Sequence, residues 1–175
     1  MDESVILVDL NDKVLGTMEK MEAHLLGKLH RAFSVFIFNT KGELLLQQRA
    51  FDKYHSAGKW TNTCCSHPRM GEENIDAANR RLLEEMGMVC KLRYAFNFTY
   101  KAAFEDGIEE YEYDHVYIGV SDELPVLNPD EVSDYRYMDM KSLADDIATH
   151  SDEYTEWLKI CFDKVLLSHS KLFKI

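Results

Sequence analysis

Apolar and polar residues alternate with two different periods along this chain, and each period marks a class of element. Residues 5–9 form a short apolar run that predicts a first strand, and residues 19–26 predict a short helix. Residues 32–38 and 43–48 flank Asn39-Thr40-Lys41-Gly42, a turn signal, so they predict the two strands of a hairpin. Residues 49–60 read as a polar loop carrying aromatics. Beyond it, Ile75, Ala78, Leu82 and Met86 recur at helical spacing, with Asn74 as the expected N-cap and Gly87 as the stop.

The second half repeats the mixture. Residues 91–101 and 110–120 predict two long strands joined through Glu105-Asp106-Gly107, and residues 134–139 predict a further strand. Residues 141–148 and 153–169 predict closing helices, the last burying Leu158, Phe162, Val165 and Leu166 on one stripe. Interleaved strands and helices, with hairpins dominant, make this an α/β fold around a mixed sheet.

Composition narrows the class. A chain of 175 residues, 46% hydrophobic, supports one domain with a proper core, spanning residues 1–175. The first thirty residues lack a secretory pattern, and no run approaches the roughly 20 apolar residues of a membrane span, so the expected location is the cytoplasm. Four cysteines include the adjacent pair Cys64 and Cys65, which cannot bridge each other without strain, so reduced thiols are expected. Twenty basic against thirty-one acidic residues give a net charge of −11. That charge argues against nucleic acid and anionic membranes as partners, while a pocket with clustered cations can still take a small anion.

Candidate chemistry concentrates between Thr61 and Gly87. Thr61-Asn62-Thr63-Cys64-Cys65-Ser66-His67-Pro68 sets two thiols and an imidazole in a turn-like run unlike a core strand. His67 is placed to lower a neighbouring thiol's pKa or to hold a metal beside it. The following helix carries Arg80, Arg81, Glu84 and Glu85, which taken alone describe a solvated face laced with ion pairs. A structural zinc at Cys64, Cys65 and His67 is the non-catalytic alternative, but adjacent ligands chelate poorly and no second close Cys or His pair accompanies them.

In register, Ser66, Glu72, Arg80, Leu82, Glu84, Glu85, Gly87 and Met88 resemble a degenerate Nudix box, with Ser66 in place of its leading glycine and Arg81 in place of a glutamate. In Nudix hydrolases that glutamate helps to hold magnesium. A cation there argues against the rival reading, a diphosphohydrolase of nucleotide derivatives, and leaves diphosphate binding intact. Trp60-Thr61-Asn62 running into Cys65-Ser66-His67-Pro68, then Arg80, Arg81 and Glu85, Tyr100, Glu110-Tyr111-Glu112 and Trp157, is similar to type I isopentenyl-diphosphate isomerases, a Nudix branch. The resemblance covers most of the chain from Lys20 onward.

The resemblance implies a Nudix-like α/β fold, a mixed sheet sandwiched between helices. It implies an intramolecular isomerase that moves a carbon–carbon double bond of a small diphosphate through a tertiary carbocation. Cys65, Glu112, Tyr100 and Trp157 would be catalytic, with Cys65 and the Glu112/Tyr100 pair on opposite faces of the substrate. His24, His30, His67, Glu110 and Glu112 would hold Mn2+ or Zn2+, with His115 a substitute ligand. Glu85 would contact Mg2+ on the diphosphate, and Lys20, Arg49, Lys53 and Arg81 would bind the diphosphate itself. The chain would act as a monomer or weak homodimer. Spacing agrees in one respect: Glu110 and Glu112 lie two apart on a strand and project from one face. Cys90 and Cys161 sit in apolar contexts and read as core.

Overall fold

The structure, a computed structural model, describes residues 3–174. In chain order it runs β1 (Ser4–Val8), β2 (Val14–Glu19), α1 (Lys20–Leu25), β3 (His30–Phe38), β4 (Leu44–Arg49), β5 (Trp60–Thr61), β6 (Cys64–Ser66) and α2 (Asn74–Met86). There follow β7 (Arg93–Ala103), β8 (Glu109–Val120), β9 (Val132–Met138), α3 (Met140–Thr149) and α4 (Glu156–Phe173). A 3-10 turn at Glu105–Gly107 joins β7 to the antiparallel β8, the connection expected at those residues.

β3 is the axis of the sheet. It runs parallel to β8, with His30 opposite Glu112, and β7 lies antiparallel on the far side of β8, with Tyr100 also opposite Glu112. The expected hairpin of β3 and β4 closes only at Phe38 and Leu44; β4 then pairs with β9 and β5, while β6 runs along β3. The gap between the diverging strands is filled by Thr63. Its hydroxyl donates to the Leu45 carbonyl at 2.6 Å and accepts from the Ile37 N–H at 2.9 Å, while the Gln47 amide donates to the Thr63 carbonyl at 2.8 Å. Backbone groups that two parted strands would leave unpaired in the core are thereby satisfied.

Side chains alternate between two buried layers, as they must on a sheet covered on both faces. Phe36, Phe38, Leu44, Leu46, Val116 and Ile118 pack under α3 and α4 against Leu143, Leu158 and Val165. Phe33, Val35, Ile37 and Leu45 pack against Ala77, Ala78, Leu82 and Met86 of α2. The sheet is thus sandwiched between helices, and each fully buried leucine contributes roughly 1.5–3 kcal/mol.

Several local expectations shift. β2 was not anticipated, because none of its side chains is buried and no buried face imprints a period. α2 is capped by the backbone of Glu73, with Asn74 already helical, and Ile75 is 37% exposed, its place on the buried stripe taken by Ala77. Gly87 does end α2 in the left-handed region at φ 61°, where a Cβ would meet the Val126 carbonyl oxygen at 2.6 Å. The last helix starts at Glu156 instead of residue 153. A 3-10 turn at Ser151–Glu153 precedes it, Tyr154 bridges Trp60, and the Thr155 and Thr61 hydroxyls meet at 2.7 Å. Tethering the start of α4 to β5 sets the position of Trp157.

Candidate active site

Pleating decides which cysteine reaches the site. Cys64 to Ser66, read from sequence as a turn, is a strand pairing Cys65 with Ser34 and Cys64 with Val35. Neighbours on a strand project to opposite faces. Cys64, fully buried, joins the layer under α2, whereas Cys65 lies on the α4 side and lines a cavity of about 460 Å³. Two thiols on opposite sides of one sheet cannot chelate one zinc ion, which removes the structural-zinc alternative. All four cysteines are free. Cys161 is buried as expected, while Cys90 is only partly covered.

The same face continues along β8. Glu110, Glu112 and Asp114 follow one another at alternate positions, all at most 6% exposed, and β8 passes into the core at Val116. The Tyr100 hydroxyl lies between the first two, 2.7 Å from Oε2 of Glu110 and 2.8 Å from Oε2 of Glu112. Its one proton can serve one carboxylate at a time. His67 Nε2 stands 3.0 Å from Oε1 of Glu112, and His30 Nε2 stands 3.5 Å from the same oxygen. Asp114 accepts from the Ser34 hydroxyl at 2.8 Å.

His24 and His30 are fully buried behind the cavity instead of lining it. The His30 Nδ1 donates to the Lys28 carbonyl at 2.8 Å, which leaves Nε2 facing Glu112 at 3.5 Å without an aligned hydrogen bond. His24 Nε2 pairs with the Tyr54 hydroxyl at 3.0 Å, leaving Nδ1 orphaned. Buried ring nitrogens without partners beside carboxylates are what a divalent ion would satisfy, and imidazole with carboxylate suits manganese or zinc. The donors fall into two triads, His30–His67–Glu112 and His24–His55–Glu110. His115 belongs to neither: it lies on the opposite face, 2.9 Å from Asp12, because the odd positions of β8 point away from the carboxylates.

Electrostatics separate the groups. Burial works to raise the Glu112 carboxyl, but the imidazoles of His30 and His67 outweigh it and hold the group well below its usual range. Asp114, buried with only a hydroxyl for company and with Glu112 nearby, is raised well above its own. Two neighbouring carboxyls are thus pushed in opposite directions, the pattern that sorts acids from bases in a site. Burial, joined by the neighbouring His67 and His30, lowers His24 to about 3, so its ring stays neutral at pH 7. The Cys65 thiol is pushed up by burial, with Arg49 opposing. No lowering by His67 offsets this, and that ring contacts Glu112 instead.

At the cavity mouth stand the cations. Lys20 pairs with Glu3 at 2.8 Å, Lys53 pairs with Glu131, and Arg81 reaches Glu85 at 2.6 Å, Glu84 at 2.7 Å and Glu131 at 3.3 Å. Arg49 lies 5.3 Å over the ring of Trp157, joining the cationic end of the cavity to its aromatic wall. Glu85, from α2, also accepts from Gln47 at 2.9 Å. Lys20, Arg49, Lys53, Cys65, His67, Arg81, Glu85, Tyr100, Glu110, Glu112 and Trp157 all line this one cavity. Sequence reasoning missed His55, Asp114 and Glu131. Asp114 was legible as the next member of the Glu110, Glu112 alternation, whereas His55 and Glu131 sit in loops without a period.

Comparison with known proteins places the chain in a family. The NUDIX domain model matches residues 28–158. Isopentenyl-diphosphate Delta-isomerase 2 of Aromatoleum aromaticum is 49% identical over 170 residues, covering 97% of this chain and 90% of that protein. The Isopentenyl-diphosphate Delta-isomerase of Pectobacterium atrosepticum is 50% identical over 161 residues, 92% of this chain and 90% of its own. A crystal structure from Deinococcus radiodurans superposes with a TM-score of 0.75 at 20% identity, covering 90% of this chain and 96% of that one, which shows a shared fold. The chain belongs to the isopentenyl-diphosphate Delta-isomerase family, built on the NUDIX domain.

Proposed function

We propose that the chain interconverts isopentenyl diphosphate and dimethylallyl diphosphate, a step of isoprenoid biosynthesis. The observation that carries this reading is one cavity holding a thiol, Cys65, together with a hydroxyl, Tyr100, within hydrogen-bond distance of two carboxylates. A proton added to the terminal alkene carbon leaves a tertiary cation; loss of a proton from the carbon nearer the diphosphate completes the shift. Such a site needs an acid and a base either side of a flat substrate and little water. Cys65 serves one side and Tyr100 with Glu112 the other, and an ionised Glu112 suits the base. The Trp157 ring stabilises the cation by about 2 kcal/mol when desolvated.

Lys20, Arg49, Lys53 and Arg81 bind the diphosphate, with Glu85 meeting Mg2+ carried on its oxygens. His24, His30, His67, Glu110 and Glu112 would hold Mn2+ or Zn2+. Bound there, the ion supplies positive charge that favours the anionic forms of the groups around it. The cytoplasm is the site of action we assign, in keeping with four free cysteines. No helix among the described residues is long and apolar enough to cross a membrane.

The diphosphohydrolase alternative is tested in the same assay. Metal-loaded protein incubated with isopentenyl diphosphate should yield dimethylallyl diphosphate with the diphosphate intact. Release of phosphate or diphosphate without isomer would support hydrolysis instead.

A further inference from the structure

The loop between β4 and β5 delivers one imidazole into the site that the proposed five-residue metal set does not use. His55 is 7% exposed, and its Nε2 lies 2.7 Å from Oε1 of Glu110. Its ring stacks on Phe104 at 4.6 Å and 17°, stands edge-on to Trp157 at 6.0 Å, and meets Tyr54 perpendicularly at 4.5 Å. Walls on three sides fix where Nε2 points. The Nδ1 faces the Ser56 hydroxyl at 3.1 Å, so that nitrogen is occupied.

The contact with Glu110 is short, yet Nε2 is unaligned for a hydrogen bond and is left without a partner; His24 Nδ1, beside it, is likewise orphaned. Two buried ring nitrogens without hydrogen-bond partners, one of them 2.7 Å from a carboxylate oxygen, are what a bound cation would satisfy. The potential ligand atoms of His24, His55 and Glu110 all lie within 4.8 Å of one another, as do those of His30, His67 and Glu112.

We propose that His55 is itself a metal ligand, giving this centre four imidazoles and two carboxylates where the five-residue set has three and two. This rests on the reading that His30, His67 and Glu112 hold a divalent ion. Six donors exceed the four of a closed zinc site and suit an ion that prefers six-coordination. The same loop carries Lys53, and the Arg49 guanidinium donates to the His55 carbonyl at 3.2 Å, so coordination by His55 also fixes the loop that meets the diphosphate.

The test is titration of the full chain with Co2+ alone, without diphosphate, read by its visible absorption and by calorimetry. Wild type should bind with the weak spectrum of six-coordinate cobalt. His55→Ala should bind about tenfold to a hundredfold more weakly, with stronger absorption as the coordination number falls. His55→Gln, which keeps a hydrogen-bond donor toward Glu110 but is a poor ligand, should behave like His55→Ala. Wild-type affinity and spectrum in His55→Ala would overturn the proposal. So would full rescue by His55→Gln, which would make His55 a positioning group for Glu110. Failure of the wild type to take up Co2+ would instead overturn the metal reading on which this one rests.

Discussion

Trp157 donates its indole N–H to the side-chain carbonyl of Asn62 at 3.1 Å, joining α4 to the segment that delivers Cys65. The Asn62 amide in turn donates to the carbonyls of Val35 at 3.1 Å and Cys64 at 2.7 Å, all buried. One side chain therefore registers the aromatic wall, the central strand and the thiol strand together. Asn62→Ala leaves those groups unpaired and should cost about 3 kcal/mol in denaturant unfolding. It should also lower kcat in steady-state assays of the folded fraction, because Trp157 and Cys65 lose their common anchor.

Tyr100→Phe removes the hydroxyl that lies between Glu110 and Glu112 and little else. We expect kcat to fall roughly 10²- to 10⁴-fold, the usual worth of a positioned proton-transfer group. Metal content, measured by atomic emission, should stay at the wild-type level.

Arg81 sits between three carboxylates, Glu84, Glu85 and Glu131. Burial opposes its charge, but Glu85 and Glu131 raise its pKa, so it stays protonated at any working pH. Arg81→Ala should raise KM for the diphosphate at least tenfold and cost roughly 3 kcal/mol, because Glu85 is left buried beside other acids. Arg81→Lys should fall between, since an ammonium cannot fork to all three partners. Kinetics and chemical unfolding of both variants check this.

Acid should destabilise the metal-free protein in a window set by His24. Its folded pKa is about 3 against 6.5 for the free side chain. Between those values the unfolded chain binds a proton that the folded chain refuses, so stability falls as pH drops from about 6.5 toward 3. Glu112, held below its usual range, adds loss in the same direction at the acid end, while His30, raised by Glu112, works the opposite way near neutrality. Melting temperatures from pH 7 to pH 4.5 should decline less steeply for His24→Gln than for the wild type.

Where burial imposes a period, the chain was readable before its structure. The α2 stripe and β8 with Glu110 and Glu112 came from patterns that packing enforces, whereas Cys65 and His67 were found by their resemblance to a family motif. β2 was illegible because a strand with no fully buried side chain has no buried face to show. Cys64–Ser66 misled because a strand of three residues is too short to display an alternation. His55 was hidden among polar neighbours in a loop whose path is set by contacts with Phe104 and Trp157, distant in sequence. Asp114 needed only one more step of the alternation already seen.

The account's central claim is that the site moves protons on carbon and leaves the diphosphate whole, with Cys65 as one of the two groups that do so. The direct measurement is incubation of metal-loaded protein with isopentenyl diphosphate in heavy water, followed by mass and NMR analysis of the product. Deuterium should appear in dimethylallyl diphosphate made by the wild type. Cys65→Ala should retain metal and make no labelled product, whereas Cys64→Ala should remain active and His67→Ala should lose both metal and turnover. Absence of label from folded, metal-loaded wild type, or activity lost with Cys64 and kept without Cys65, would contradict it.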